Sequence, residues 1–219
     1  MVVAPTGTDR RSPHLGEEPG PTRSELLGAV DLEDATIVGD FTGCELNEPV
    51  FRECRFDHAH FTGGVVRHAR FIDCVISECD LSGTTLEECS MTRVEFRSCR
   101  ASAVQIPRGR LVDVGFLSCK LDGANFRMTA WERAELTGCD LSEADFYEAK
   151  LPKSRILNSD LSRVEFSRAD LDGSRLSGSI LDGLRGATSL RQVTVTSDQI
   201  IPLAMALFTS HRITVVDEP

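Results

Sequence analysis

From Phe41 to Leu181 a large apolar residue stands at every fifth position without a break. These 29 centres hold ten Phe, twelve Leu, three Ile, Val66, Met91, Trp131 and one small exception, Ala101. Two places before each centre lies a second series made of small residues: eight Cys, seven Ala, four Val, four Ser, three Gly, two Thr and Pro49. The other three positions of each five are mostly polar, as in Asp80-Ser82-Gly83 around Leu81 or Asp140-Ser142-Glu143 around Leu141. A period of five is neither the 3.6 of a helix nor the 2 of a strand. A helix would smear the centres around its circumference, and a flat strand would send successive centres to opposite faces. A chain that turns a corner every five residues, and closes a square coil in twenty, points every centre inward. Coils then stack at strand spacing, about 4.8 Å. Glycine two places after the centre, at 43, 63, 83, 123, 138, 173, 178 and 183, suits a corner of positive φ.

The motif Ala-[Asp/Asn]-large recurs directly as "ANF" at 124–126, "ADF" at 144–146 and "ADL" at 169–171. In this the chain resembles the pentapeptide-repeat family over about 145 residues. The resemblance implies an all-β fold, a right-handed quadrilateral β-helix. Its regular register covers 39–183 within a body of 24–195. Columns twenty residues apart should stack inside, one reading Phe56, Ile76, Phe96, Phe116, Leu136, Ile156, Leu176. At the start, Leu32 and Ile37 fit a register one residue out of phase, so "AVDLEDATIV" (29–38) should form a first half-coil before a one-residue slip. Around Ala101, within "RASAVQIPRGR" (100–110), a local cavity or kink is expected.

The ends read differently. Residues 1–23 hold four Pro and three Gly with little apolar content and are expected to be a disordered tail. Residues 196–219 read as a cap. "TSDQIIPLAMALF" (196–208) has a capping-box spacing at Thr196 and Gln199, and forms a short amphipathic helix. "HRITVV" (211–216) alternates as a strand. Ile200, Ile201, Leu203, Ala204, Leu207 and Phe208 are placed to cover the open end of the core. The family resemblance adds a homodimer through the same C-terminal end.

Composition narrows the function. The chain has 219 residues and a net charge of −10, a poor match for direct nucleic-acid binding. It has no apolar run of membrane-spanning length and no basic, apolar leader, so a cytoplasmic location is expected. All eight cysteines fall in the small-residue register, which by chance is about a one in 10⁵ event. They read as buried fillers, with no metal site and no cofactor expected. His58 and His60, with His68 nearby, read as exposed corner residues. No nucleophile-elbow, phosphate-loop or zinc-protease motif is present, and a filled prism offers no concave site, so no enzyme is expected.

Charge is distributed unevenly. The face centred on Phe41, Phe61 and Leu81 carries −4 between 40 and 183, and the adjacent face centred on Leu46, Val66 and Leu86 carries −3; the other two carry +1 and 0. On the acidic side stand Asp40, Glu45, Glu48, Asp80, Glu87, Glu88 and Asp122. Asp140, Glu143, Asp145, Glu148, Asp160 and Asp182 continue it, while Arg67, Arg108 and Arg127 interrupt it. Glu25, Asp31, Glu33 and Asp34 add charge near one end. The resemblance implies a protein partner, a DNA-mimic ligand of DNA gyrase or topoisomerase IV linked to antibiotic resistance. The chain lacks the projecting loops of plasmid-borne quinolone-resistance relatives. The alternative is a scaffolding rod that binds another protein through the neutral face around Val75, Gly115, Leu117 and Leu157.

Overall fold

The computed structural model describes residues 13, 18–19, 26, 31–214 and 216. The chain winds as a quadrilateral β-solenoid in which, through the regular coils, a residue pairs in parallel with the one twenty places on. The column expected from the sequence forms as written, with Phe56 opposite Ile76, then Phe96, Phe116, Leu136 and Ile156. The longest strands, Arg70–Ser77, Ser90–Arg97 and Arg110–Leu117, lie side by side and each runs across a corner. Elsewhere the faces narrow to three-residue strands and single bridges, such as the row Asp40, His60, Asp80, Arg100, Lys120, Asp140, Asp160, Ile180.

The corner is where sequence reasoning fell short. Every residue two places after a centre, from Gly43 to Gly183, has φ between 50° and 72°. Eight are glycine; the rest include Glu48, His58, Arg108, Met128 and Lys153. Left-handed backbone costs an L-residue about 1–2 kcal/mol, which a well-packed coil must offset. It is offset by the interior, which is largely apolar and stacked. Phe96 lies on Phe116 with ring centroids 4.4 Å apart, and Phe126 on Phe146 at 4.9 Å. Trp131 packs edge-on to Phe126 at 5.3 Å and satisfies its indole N–H on the Thr129 hydroxyl, 2.7 Å away.

At the N-terminal end Leu32 pairs with Phe51 and Ile37 with Phe56, nineteen residues apart. The one-residue slip therefore falls between Ile37 and Phe41, at Gly39 with φ 113°. Within the stretch expected to be a disordered tail, Glu18–Pro19 pairs in parallel with Ala35–Thr36. The rest of 1–23, apart from residue 13, lies outside the described residues, while Leu26 is buried. Ala101 brings no kink: its N–H reaches the Lys120 carbonyl at 2.7 Å and the row through Arg100 runs on in register. An apolar cavity of about 30 Å³ lies a coil earlier and is lined by Phe61, Phe71, Leu81, Met91 and Phe96 among others.

All eight cysteines are buried free thiols. Burial pushes the Cys89 thiol up to about 12, and hydrogen bonding to the neighbouring thiol together with burial raises Cys74, Cys79 and Cys119. Whatever its proton affinity, a thiol buried in the coil is out of reach of a reagent in solvent. The folded protein is therefore expected to give almost no thiol colour with a disulfide reagent at pH 8, and the denatured protein a full eight equivalents. Rapid reaction of the native form would show that the coils open readily.

At the C-terminal end Thr196 and Gln199 make the expected capping box, and a 3₁₀ turn, Ser197–Gln199, leads into helix α1, Ile200–Ser210. The helix covers the core less completely than its composition implies. Leu203 and Leu207 pack on the core and Ala206 is buried, but Ile200, Ile201, Met205 and Phe208 are exposed. The missing piece is supplied by Gln199, whose amide N–H₂ donates to the carbonyls of Leu176 and Ser179 and plugs the last coil. Residues 211–214 and 216 form no strand; Arg212 turns the chain with φ 55°.

Candidate protein-binding faces

The acidic side is built from two kinds of carboxylate. Aspartates one place before a centre tie down the next turn of backbone. The Asp40 carboxylate accepts from the Thr42 N–H at 2.8 Å, Asp80 from Ser82 at 3.0 Å, Asp140 from Ser142 at 3.1 Å and Asp160 from Ser162 at 2.8 Å. Asp145 does the same with Tyr147 at 2.8 Å. Partial burial pushes the Asp80 carboxyl up, but its hydrogen bonds from Ser82 outweigh this and hold it below the usual range.

Most of the glutamates are paired along the stack instead. An arginine twenty residues on sits one rung above its acid: Arg163 bonds Glu143 at 2.8 Å and Arg168 bonds Glu148 at 3.0 Å. Glu87 lies between Arg67 and Arg108, each at 3.6 Å, and Arg108 also bonds Glu88 at 3.0 Å. Arg127 bonds Asp145 at 2.8 Å and lies over the Tyr147 ring at 4.4 Å. Glu45 reaches Arg67 only at 4.0 Å, and Asp122 takes a hydrogen bond from the Ser102 hydroxyl at 2.6 Å. Glu48 is exposed at a corner, and Asp182 is exposed beside α1. The thirteen acidic residues thus share two adjacent faces, but they form a mixed ladder and not a bare row of charge. A five-residue period carries the acids legibly; the pairs needed the twenty-residue period laid over it.

Among the described residues no group of three metal-ligating side chains gathers at the histidines. His58 stands between the carboxylates of Asp57 at 2.9 Å and Glu78 at 3.0 Å, and hydrogen bonding to Asp57 with the charge of both acids raises its pKa. His60 occupies the row between Asp40 and Asp80, and His68 faces Glu88 at 3.6 Å.

On the opposite side the corner between the +1 and neutral faces carries a charge ladder of buried aspartates and half-buried arginines. Arg93 grips Asp73, and Arg133 grips Asp113 through paired bonds of 2.6 and 2.9 Å. The neutral face beside it is flat. Val75 is buried and Leu117 exposed, and Gly115 leaves a shallow recess flanked by Glu95 and Glu135. At the C-terminal end a groove of about 380 Å³ runs between Asp182–Gly186 and α1. No helix among the described residues is long and apolar enough to cross a membrane.

The matching family models agree with this architecture. The pentapeptide repeat region model matches residues 51–126, and the model for eight copies of the pentapeptide repeat matches 119–156 and 154–183. No curated protein matches the chain. Among solved structures, a trypsin-treated variant of QnrB1, a plasmid-mediated fluoroquinolone resistance protein, aligns at 19% identity over 86% of this chain and 98% of its own, with a TM-score of 0.49. HetL of the cyanobacterium Nostoc sp. strain PCC 7120, involved in heterocyst differentiation regulation, aligns at 16% identity over 78% and 92%, with a TM-score of 0.31. The family models span the greater part of the chain and coincide with the unbroken register of inward centres, so this chain belongs to the pentapeptide-repeat family.

Proposed function

We propose that this chain is a non-catalytic interaction rod whose two acidic faces engage the basic DNA-binding surface of a type II topoisomerase, DNA gyrase or topoisomerase IV. The observation that carries the reading is the concentration of −7 on two adjacent faces against +1 on the other two. Carboxylates repeat there at the rung spacing of about 4.8 Å. A surface that normally neutralises phosphates would be drawn to such a rod. A drug that traps the enzyme on cleaved DNA needs DNA on that same surface, which makes drug protection the first phenotype to examine. The Arg ladder lowers the net field well below that of duplex DNA, so binding should weaken steeply with salt.

The test is gyrase supercoiling with this protein titrated in, with and without a fluoroquinolone. Inhibition, or fewer drug-stabilised cleavage complexes, is expected for the natural chain. The variant Glu87→Gln, Glu88→Gln, Asp140→Asn, Glu143→Gln, Asp145→Asn, Glu148→Gln should lose at least tenfold in potency. The amides keep the turn-capping acceptor oxygens, so its melting temperature should change little. Undiminished inhibition by that variant would refute the mimic.

A second reading, a scaffold that holds a protein on the neutral face, is favoured by the half-exposed Leu117 beside the Gly115 recess. Leu117→Lys would abolish that contact and leave gyrase inhibition intact. We also propose that α1 pairs two copies, since Ile200, Ile201, Met205 and Phe208 leave it with an apolar outer face. Sedimentation of Ile201→Glu as a monomer beside a dimeric parent would support the pairing; identical sedimentation would not.

A further inference from the structure

Two outward rows run along the neutral face. One reads Val75, Glu95, Gly115, Glu135, Arg155, and the other Ser77, Arg97, Leu117, Thr137, Leu157, both in register from rung to rung. Glycine at 115 interrupts the first row between two glutamates. Glu95 and Glu135 therefore rise from backbone two rungs apart, about 9.6 Å, with no side chain between them. The result is a recess of about 180 Å³, floored by Gly115 and Phe116 and walled by Glu95, Glu135, Leu117 and Thr137.

The walls decide what such a recess can hold. Glu95 is buried and its carboxylate accepts from the Arg97 Nε–H at 2.8 Å, but Arg97 itself stands half-exposed. The acid thus lies deep and its compensating charge lies in solvent, where it is screened. Glu135 meets Arg155 only at 3.9 Å, beyond hydrogen-bond length. A carboxylate offers about four acceptor positions, so one arginine neighbour does not exhaust either acid. The Thr137 hydroxyl is buried without a hydrogen-bond partner, which costs stability until a donor or acceptor meets it. A cationic donor between the two acids, with Thr137 turned to meet it, answers all three walls. Leu117 at the rim is exposed and adds an apolar ledge.

We propose that this recess seats an arginine side chain of a protein partner, with its guanidinium over Gly115 between the Glu95 and Glu135 carboxylates and an adjoining apolar residue of the partner on Leu117. The inference rests on the scaffold reading of this face and names what that partner must present. Two acceptors on opposite sides of a slot call for donors on both edges of one plane. A guanidinium carries five N–H donors in such a plane, whereas an ammonium is a compact, strongly hydrated point charge. A floor without a Cβ lets the flat group lie against backbone. Arginine is also among the residues that most often carry the energy of a protein interface.

The experiment is titration of the full-length chain with N-acetyl-arginine N-methylamide, read by amide chemical shifts in NMR. The neutral citrulline analogue, nearly the same in shape, is the control. The arginine probe should shift the amides of 115–117 and of Glu95 and Glu135 saturably, with a Kd on the order of 1–10 mM, as befits a single side chain. The citrulline probe should bind at least about tenfold more weakly. Gly115→Val fills the recess with the residue this row carries at 75, and should also cost at least about tenfold. The double variant Glu95→Gln, Glu135→Gln should do the same by removing charge; should it lose stability, Gly115→Val still decides. Equal shifts from the citrulline probe, arginine shifts centred on the acidic faces, or undiminished binding to Gly115→Val would each overturn the seat. None of these bears on the leucine contact, which Leu117→Lys decides, so the seat and the scaffold reading can fail separately.

Discussion

Replacing Phe126 with alanine is expected to lower the unfolding free energy by about 3–5 kcal/mol. Phe126 is fully buried and meets three rings, Phe146 at 4.9 Å, Trp131 at 5.3 Å and Phe116 at 6.2 Å. The backbone around it is pinned to both neighbouring coils: the Phe126 N–H donates to the Asp145 carbonyl at 2.8 Å, and the Asn125 carbonyl accepts from Ile106 at 2.8 Å. The coil cannot collapse inward to fill the space, so the cavity remains and its cost is near the upper end of the range. Solenoid stability is close to a sum of coil and interface terms. A truncation in the middle weakens two interfaces, whereas Phe41→Ala near the N-terminal end should cost less. Urea unfolding of the two variants beside the parent checks both statements. A loss under about 1.5 kcal/mol at Phe126 would mean the coils relax around a void, and the rigid-column account would be wrong.

The same columns explain why so much of this fold is readable from the chain. A residue's place in a five-residue period fixes its direction, and its place in a twenty-residue period fixes its neighbours, so Phe56, Ile76 and Phe96 can be stacked on paper and are stacked in the structure. What escapes is set by energies the period does not display. Corners are legible at glycine, yet Glu48, Met128 and Lys153 take the same left-handed backbone because their neighbours leave no other path. Ala101 has the look of a fault, but its backbone bonds keep the register and the apolar cavity opens a coil earlier. The acidic faces are legible as composition. Their division into turn-capping aspartates such as Asp160 and arginine-paired glutamates such as Glu143 is not, since it depends on what stands one coil above. The apolar residues of the cap predict a hydrophobic lid, whereas the last coil is closed by the polar Gln199 and much of the apolar surface of α1 faces outward.

Gly186→Ala is expected to detach that cap. Residue 186 falls where the next large centre would stand, five places after Leu181, and the repeat stops there. Gly186 has φ 72°, and a Cβ on it would overlap the Ser167 nitrogen and lie 2.6 Å from the Phe166 carbonyl carbon. Those are backbone atoms of the previous coil, held by the Phe166 N–H bond to the Arg185 carbonyl at 3.0 Å, so nothing flexible can yield. Other corners carry alanine or larger residues at similar φ, with Ala103 at 54°, so the backbone angle alone does not explain the cost. The overlap does. Relief requires the chain after Arg185 to lift away, carrying the 3₁₀ turn Ala187–Ser189 and loosening α1, which packs on it. The cost is about 2–4 kcal/mol, drawn from backbone strain and from lost burial of Ala187, Ala206 and the partly buried Leu203 and Leu207. Because coils interact with nearest neighbours, the loss should stay local. Amide exchange should rise sharply across 187–210 and remain slow through 110–117, while Phe126→Ala should raise exchange in the middle coils. If α1 pairs two copies, Gly186→Ala should also abolish the dimer without touching an apolar side chain. Unchanged protection at 187–210 would show that the cap tolerates the displacement and is held by Gln199 alone.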